Sequence, residues 1–91
     1  MQLIDVTNSY ARIISQELLS SSAHFIKVYT LGNSKVVYKK KQKTAEIVIS
    51  NNVRPVTDKE IEFVSDQLLG DKAADATVTD QKKVVEISLD H

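Results

Sequence analysis

The middle third of the chain constrains the fold most, because it predicts three consecutive β-strands. Residues 24–31, 34–40 and 44–50 are rich in β-branched and aromatic side chains, which favour strands. Gly32 and Asn33 separate the first two runs, and this pair is typical of a two-residue hairpin turn because both residues tolerate positive φ. The centre of the chain is therefore expected to form an antiparallel meander.

Helical patterns flank this meander on both sides. Upstream, side chains that can cap a helix (Thr7, Asn8 and Ser9) precede apolar residues at helical spacing. Downstream, the segment 57–60 is a capping box of the form Thr-x-x-Glu, and Gly70 is suited to end that helix in a left-handed turn. Two helices are therefore predicted, the second running to about residue 69.

Shorter strands are predicted near the two ends of the chain. Residues 2–6 read as a short strand, and alternating Val85, Ile87 and Leu89 predict a final one. Residues 71–82 read as a loop. The order β-α-β-β-β-α-β within a single domain, 1–91, predicts an α+β fold: a two-layer sandwich with a mostly antiparallel sheet and two helices on one face.

Composition excludes several classes of protein. The 91 residues are 42% hydrophobic and 26% charged with a formal net charge of +0, which argues against disorder and against a global attraction to nucleic acid or anionic membranes. Absence of cysteine excludes disulfides and thiolate chemistry and favours a reducing compartment. Residues 1–5 lack a signal-peptide pattern, and no apolar run approaches the roughly 20 residues that span a bilayer. We expect a cytoplasmic protein with no membrane partner.

Residue patterns that carry catalysis are missing from the sequence. The two histidines, His24 and His91, lie at the start of a strand and at the last position. The serines lack nucleophile-elbow glycines, and there is no glycine-rich phosphate loop and no metal-spaced histidine pair. We therefore predict no catalytic residue, no cofactor and no metal site, and expect a protein that is not an enzyme.

The first hairpin carries apolar side chains on both of its faces. If Gly32 and Asn33 form the turn, one face holds Phe25, Tyr29, Val36 and Tyr38. The other face, which is expected to meet the helices, holds Val28 and Val37. One interpretation of the aromatic face is that it is half-exposed and that lysine side chains cover it with their aliphatic stems. The other is a surface for a second copy or a protein partner, because exposed aromatic patches often mark interfaces.

Positive charge is concentrated around the second turn of the meander. The candidate basic patch consists of Lys35, Lys39, Lys40, Lys41 and Lys43. Such a cluster could bind phosphates of nucleic acid, with tyrosines stacking on single-stranded bases. The simpler interpretation is a solvated hairpin in which lysines prevent edge pairing. Negative charge follows in the segment 58–80, so the zero net charge conceals a dipolar chain.

Two further features have both a functional and a structural interpretation. Asp58, Glu62 and Asp66 share one stripe of the second helix, where they form a divalent-cation site, an acidic patch for a basic partner or, more simply, a solvated helix face. Arg54 lies between two asparagines and a proline and is a candidate anion contact, since its guanidinium is a planar fork of donors. The alternative is that Arg54 pairs with Asp58 or Glu60 and orders the loop.

Three stretches of the chain resemble a known protein family. They are Leu3-Ile-Asp-Val-Thr-Asn-Ser-Tyr10, Ile26-Lys-Val-Tyr29 with Gly32-Asn33, and Ile49-Ser-Asn-Asn-Val-Arg-Pro-Val56 followed by Asp58-Lys-Glu-Ile61. They are similar to a family of short cytosolic proteins of lactobacilli, streptococci and enterococci, domain-of-unknown-function family 1827. The resemblance covers about the first two-thirds of the chain, implies a bacterial, cytosolic protein, and transfers no functional residue.

The leading functional hypothesis is a non-enzymatic binding or regulatory module. It would self-associate or bind a protein partner through its sheet, because the hairpin has two apolar faces and no catalytic constellation is present. The alternative is weak nucleic-acid binding through the lysine-rich hairpin 35–43.

Overall fold

The structure, a computed structural model, describes residues 1–21, 23–70, 75–79 and 84–90. These residues form six strands and two α-helices, and a 3₁₀ turn (Thr7–Tyr10) leads into the first helix. In chain order the elements are β1 (Ile4–Asp5), α1 (Ala11–Ser20), β2 (Phe25–Leu31), β3 (Ser34–Lys40), β4 (Thr44–Ser50), α2 (Asp58–Leu69), β5 (Asp75–Thr79) and β6 (Val84–Asp90). Neither described helix is long and apolar enough to cross a membrane.

All described strands belong to one antiparallel sheet, in the order β1-β2-β3-β4-β6-β5. The predicted meander is confirmed: Tyr29 lies opposite Val36 and Lys27 lies opposite Tyr38. Gly32 adopts a φ of 59° in the turn between β2 and β3. The α+β class and the antiparallel sheet are therefore confirmed.

A strand lies where the sequence was interpreted as a loop. The segment 71–82 contains β5, which pairs antiparallel with β6 and ends the strand order. Only Ala76 and Val78 are apolar in this strand, so its alternation is too short and too polar to stand out from the sequence. The rest of that predicted loop, residues 71–74 and 80–82, lies outside the described residues.

The two helices pack on opposite faces of the sheet, so the expectation that they share one face is wrong. Ser34 and Lys35 are consecutive in β3 and therefore point to opposite faces. Ser34 contacts Glu60 of α2, whereas Lys35 lies over the Tyr10 ring beside α1. The fold thus has three layers, with the sheet between α1 and α2. Both faces of the hairpin are apolar because each packs against its own helix.

The face under α2, which we call the α2 face, carries the main hydrophobic core. The helix begins at the predicted capping box and ends at Gly70, which has a φ of 67°. Between α2 and the sheet lie ten buried apolar residues: Leu31, Val36, Ala45, Ile47, Ile49, Val56, Val64, Leu69, Val85 and Ile87. This core fixes the position of α2 on the sheet.

The face under α1, which we call the α1 face, is packed more sparsely. Ile26 and Val28 of β2 are buried there, but none of the ten described residues of α1 is buried. Thr7, one of the residues predicted to cap this helix, makes a different contact. Thr7 makes hydrogen bonds to the backbone N–H and C=O of Val28, at 3.1 and 3.3 Å, and so ties the chain to the edge of β2.

Candidate functional site

A buried polar network joins the start of α2 to the sheet. Its centre is the Glu60 carboxylate, which is only 5% exposed. Glu60 Oε1 accepts from Arg54 Nη1 at 2.8 Å and from the Thr57 backbone N–H at 3.0 Å. Oε2 accepts from Arg54 Nη2 at 3.1 Å and from Ser34 Oγ at 3.0 Å. One carboxylate thus links helix, loop and strand.

The loop before α2 is held by the same network. Asn51 donates through Nδ2 to Ser34 Oγ at 3.1 Å. Its Oδ1 accepts from the backbone N–H groups of Val53 and Arg54, at 2.8 and 3.0 Å. The asparagine therefore fixes the turn that presents Arg54 to Glu60.

Hydrogen bonds in the network set the ionisation of its charged groups. Those from Arg54, together with those from Thr57 and Ser34, lower the pKa of Glu60 from 4.5 to about 2, although burial by itself would raise it. The hydrogen bonds between Arg54 and Glu60 also raise the pKa of Arg54. Of the two carboxylates predicted as partners of Arg54, Glu60 and not Asp58 accepts the hydrogen bonds of its guanidinium.

The candidate interaction surface falls on the α2 face and is mostly covered. Val36 is wholly buried, and Tyr29 and Tyr38 are half-buried against the core. Phe25 remains 39% exposed and meets Tyr38 edge-on, with ring centroids 5.5 Å apart. Val36 therefore cannot contact a partner in this conformation, and Phe25 is the most accessible of the four side chains.

The candidate basic patch is divided by the fold. Lys35 lies at one end of β3 over the Tyr10 ring, 4.5 Å from its centroid. Lys39 lies about 13 Å further along the strand and pairs with Glu17 at 3.5 Å. Lys41 pairs with Glu46 at 4.0 Å, Lys40 projects toward the α2 face opposite Phe25, and Lys43 is exposed in the turn. The five lysines do not form one unpaired surface.

The acidic stripe of α2 is solvent-exposed along its length. Asp58, Glu62 and Asp66 are all exposed. Within the described residues, no group of three or more histidine, cysteine, aspartate or glutamate side chains could hold a metal ion. The exposure of the three side chains agrees with a solvated helix face.

The α1 face contains an apolar groove that sequence reasoning missed. Its volume is about 180 Å³, and it lies between Ile13 and Ile14 of the helix and Ile26, Val28 and Val37 of the sheet. The alternation of β2 and β3 places these strand residues on the face where both helices were expected. Because two helices would have covered that face, the sequence did not predict that α1 alone would leave a groove there.

The α1 face extends beyond this groove toward the far edge of the sheet. Val48 of β4 lies beside Val37 in register and is half-buried, and Glu86 of β6 lies beside Val48 and is exposed. On the helix, Ile13 is 60% exposed and Leu19 is 90% exposed. Apolar surface thus remains accessible on both the helix and the sheet of this face.

Comparison with solved structures identifies a close match in fold. A conserved protein of unknown function from Streptococcus thermophilus LMG 18311 is 30% identical, with a TM-score of 0.86. The match covers 97% of this chain and 94% of that chain. No curated protein matches the chain.

The family resemblance inferred from the sequence is confirmed and extended. A family model matches residues 1–90, which includes the last third of the chain, where the sequence had shown no likeness. Both the family and the solved neighbour are described as of unknown function. The chain belongs to the family Domain of unknown function (DUF1827).

Proposed function

We propose that the protein is a cytoplasmic, non-enzymatic binding module that self-associates through its α1 face. The observation that carries this proposal is the exposure of α1: none of its ten described residues is buried, and Leu19 is 90% exposed. A helix that packs so lightly on its own sheet leaves apolar surface that a second molecule can cover.

The charges of the α1 face favour a second copy as the occupant. The face carries cations and anions side by side: Lys39 of β3 lies opposite Glu46 of β4, and Glu86 lies on the next strand. A two-fold dimer places one surface against itself, so it requires a patch with both signs of charge. A strongly acidic or basic partner would find no matching field on this face.

The polar network on the opposite face supports a non-enzymatic role. The buried Glu60 carboxylate already accepts hydrogen bonds on both oxygens, and its pKa of about 2 keeps it ionised at neutral pH. A general acid or base works best with a pKa near the working pH. Glu60 is therefore suited to hold α2 in place rather than to transfer protons.

Light scattering over a concentration series tests self-association. Wild type is expected to reach the mass of two chains at micromolar concentrations, and Ile13→Lys with Leu19→Lys should return it to one chain. The control is Val53→Ser, because Val53 is also an exposed apolar residue but lies in the loop before α2. A wild type that stays monomeric at millimolar concentration, or a double variant that still dimerises, would contradict the proposal.

A further inference from the structure

A cavity of about 610 Å³ lies on the side of the molecule away from α1. Its wall includes Leu31 and Gly32 from the end of β2 and its turn, and Arg54, Lys59 and Glu60 from the start of α2. Pockets that bind small molecules usually measure about 300–1,000 Å³. The cavity thus has the size of a small-molecule site, and it lies outside the surface proposed for self-association.

The charged groups in the wall of this cavity leave one positive charge unmatched. Arg54 and Glu60 form an ion pair at 2.8 Å and neutralise each other. Lys59 lines the same cavity and is exposed, and none of the ion pairs described in the structure includes it. The lining therefore presents an ammonium group beside a neutral pair.

Arg54 retains hydrogen-bond donors after it has bound Glu60. A guanidinium has five N–H donors. Nη1 donates to Glu60 Oε1 and to the Pro55 carbonyl at 3.0 Å, and Nη2 donates to Glu60 Oε2. Among the described contacts, the Nε–H and the second N–H of Nη2 have no acceptor, and these two groups point along the same edge of the guanidinium.

Glu60 and Asn51 also hold this edge in a fixed position. The bidentate bond to Glu60 restrains the guanidinium, and Asn51 Oδ1 restrains the Arg54 backbone N–H at 3.0 Å. A donor pair held by other contacts loses less conformational freedom when a ligand binds. Because the Arg54 side chain is still 41% exposed, an incoming acceptor can reach it.

We propose that this cavity binds a small molecule through an oxyanion group, either a phosphate or a carboxylate. The free edge of Arg54 would make two parallel hydrogen bonds to the oxyanion, and the Lys59 ammonium would supply the compensating charge. The exposed side chain of Met1, which also lines the cavity, would contact the remainder of the ligand. Glu60 is a positioning residue, since it orients Arg54 and is itself already saturated.

The test is the thermal melting of the full chain with phosphate, citrate or acetate as probe. Each probe is compared with sodium chloride at equal ionic strength. A probe at about ten times its Kd should raise the Tm by about 6 °C. Lys59→Gln should lose more than half of this rise and keep the Tm of the unliganded protein, because Lys59 lies outside the Glu60 network. Whether phosphate or a carboxylate gives the larger rise identifies the class of oxyanion.

Two further variants distinguish a site from a general effect of salt. Lys43→Gln removes the same charge from the exposed turn after β3, away from the cavity, and should respond as wild type does. Arg54→Lys keeps the charge but loses the planar edge, so its Tm should fall without probe and rise less with it. An equal rise in wild type and Lys59→Gln, or no rise above sodium chloride with any probe, would overturn the proposal.

Discussion

The two faces of the sheet differ in how firmly their helices are held. On the α2 face, ten buried apolar residues and the Glu60 network fix the helix. On the α1 face, Ile26 and Val28 of the sheet are buried, but every described residue of α1 retains some exposure. The comparison shows that one sheet can support a tightly packed layer and a lightly packed layer at once, and the lightly packed layer has surface left for binding.

The local sequence of each helix explains part of this difference. The α2 segment has a capping box at its start and a glycine with positive φ at its end, which satisfy backbone groups that a helix terminus leaves unpaired. The start of α1 has no side-chain cap among the described hydrogen bonds: its N-cap position is Tyr10, and the predicted cap residue Thr7 lies in the preceding 3₁₀ turn, where it binds Val28. Helix α1 therefore has fewer contacts that are specific to the helical state.

The largest expected effect is on stability, and it is measured by truncating one isoleucine on each face of the sheet. Ile47→Ala removes a wholly buried side chain of the main core and should lower the free energy of unfolding by about 3–4 kcal/mol. Ile14→Ala removes a half-buried side chain of α1 and should cost less than about 1 kcal/mol, because the better helix propensity of alanine offsets part of the loss.

Denaturant unfolding at low protein concentration measures both values without a contribution from self-association. Comparable losses for the two variants would show that α1 is held as firmly as the main core. The contrast between the faces would then be wrong.

The second effect is a loss of stability in acid that depends on Glu60. The pKa of Glu60 is about 2 in the folded protein against 4.5 for the free group, so the folded state favours the ionised carboxylate. The resulting stabilisation, up to about 3 kcal/mol, is fully present above pH 5 and disappears as the pH falls toward 2. Glu60→Gln should lose most of it at neutral pH and show a flatter pH profile.

Other carboxylates must be separated from this effect. Hydrogen bonding to Thr7 also lowers the pKa of Asp5, so acid destabilises the fold there in the same direction. The difference between wild type and Glu60→Gln isolates the Glu60 part, and Glu62→Gln, at an exposed position of the same helix, is the control. Parallel profiles for wild type and Glu60→Gln would show that the network does not depend on the charge of Glu60.

The sequence predicted the elements better than it predicted their arrangement in space. Turn and cap residues act over a few positions, so the β2–β3 register, the Thr57 cap and the end of α2 at Gly70 were all predicted correctly. The choice of face for α2, which was expected beside α1, depends on contacts between distant segments. The strong signal, apolar residues on both faces of the hairpin, was interpreted as a partner surface instead of a second helix layer.

The sequence also predicted only part of the candidate site. Pairing of Arg54 with Glu60 was foreseen as one of two alternatives, because both residues lie near the helix start. Ser34 was not foreseen, although the register places it in the core-facing row of β3 beside Val36. A polar residue in an apolar row indicates a buried hydrogen-bond partner. The identity of that partner, Glu60, depends on the tertiary fold.

The smallest expected effect concerns the ion pair between Lys39 of β3 and Glu17 of α1. Its atoms are 3.5 Å apart, and its side chains are 26% and 46% exposed, so solvent screens most of their attraction. A double-mutant cycle with Lys39→Gln and Glu17→Gln should give a coupling of about 0.5 kcal/mol, which about 0.5 M salt should remove. The control cycle is Lys41 with Glu46, whose atoms are 4.0 Å apart and which does not involve α1.

A Lys39–Glu17 coupling above about 1.5 kcal/mol that persists at high salt would mean that α1 is electrostatically fixed to the sheet. The α1 face would then be closed to a second copy, and the proposed self-association would lose its surface.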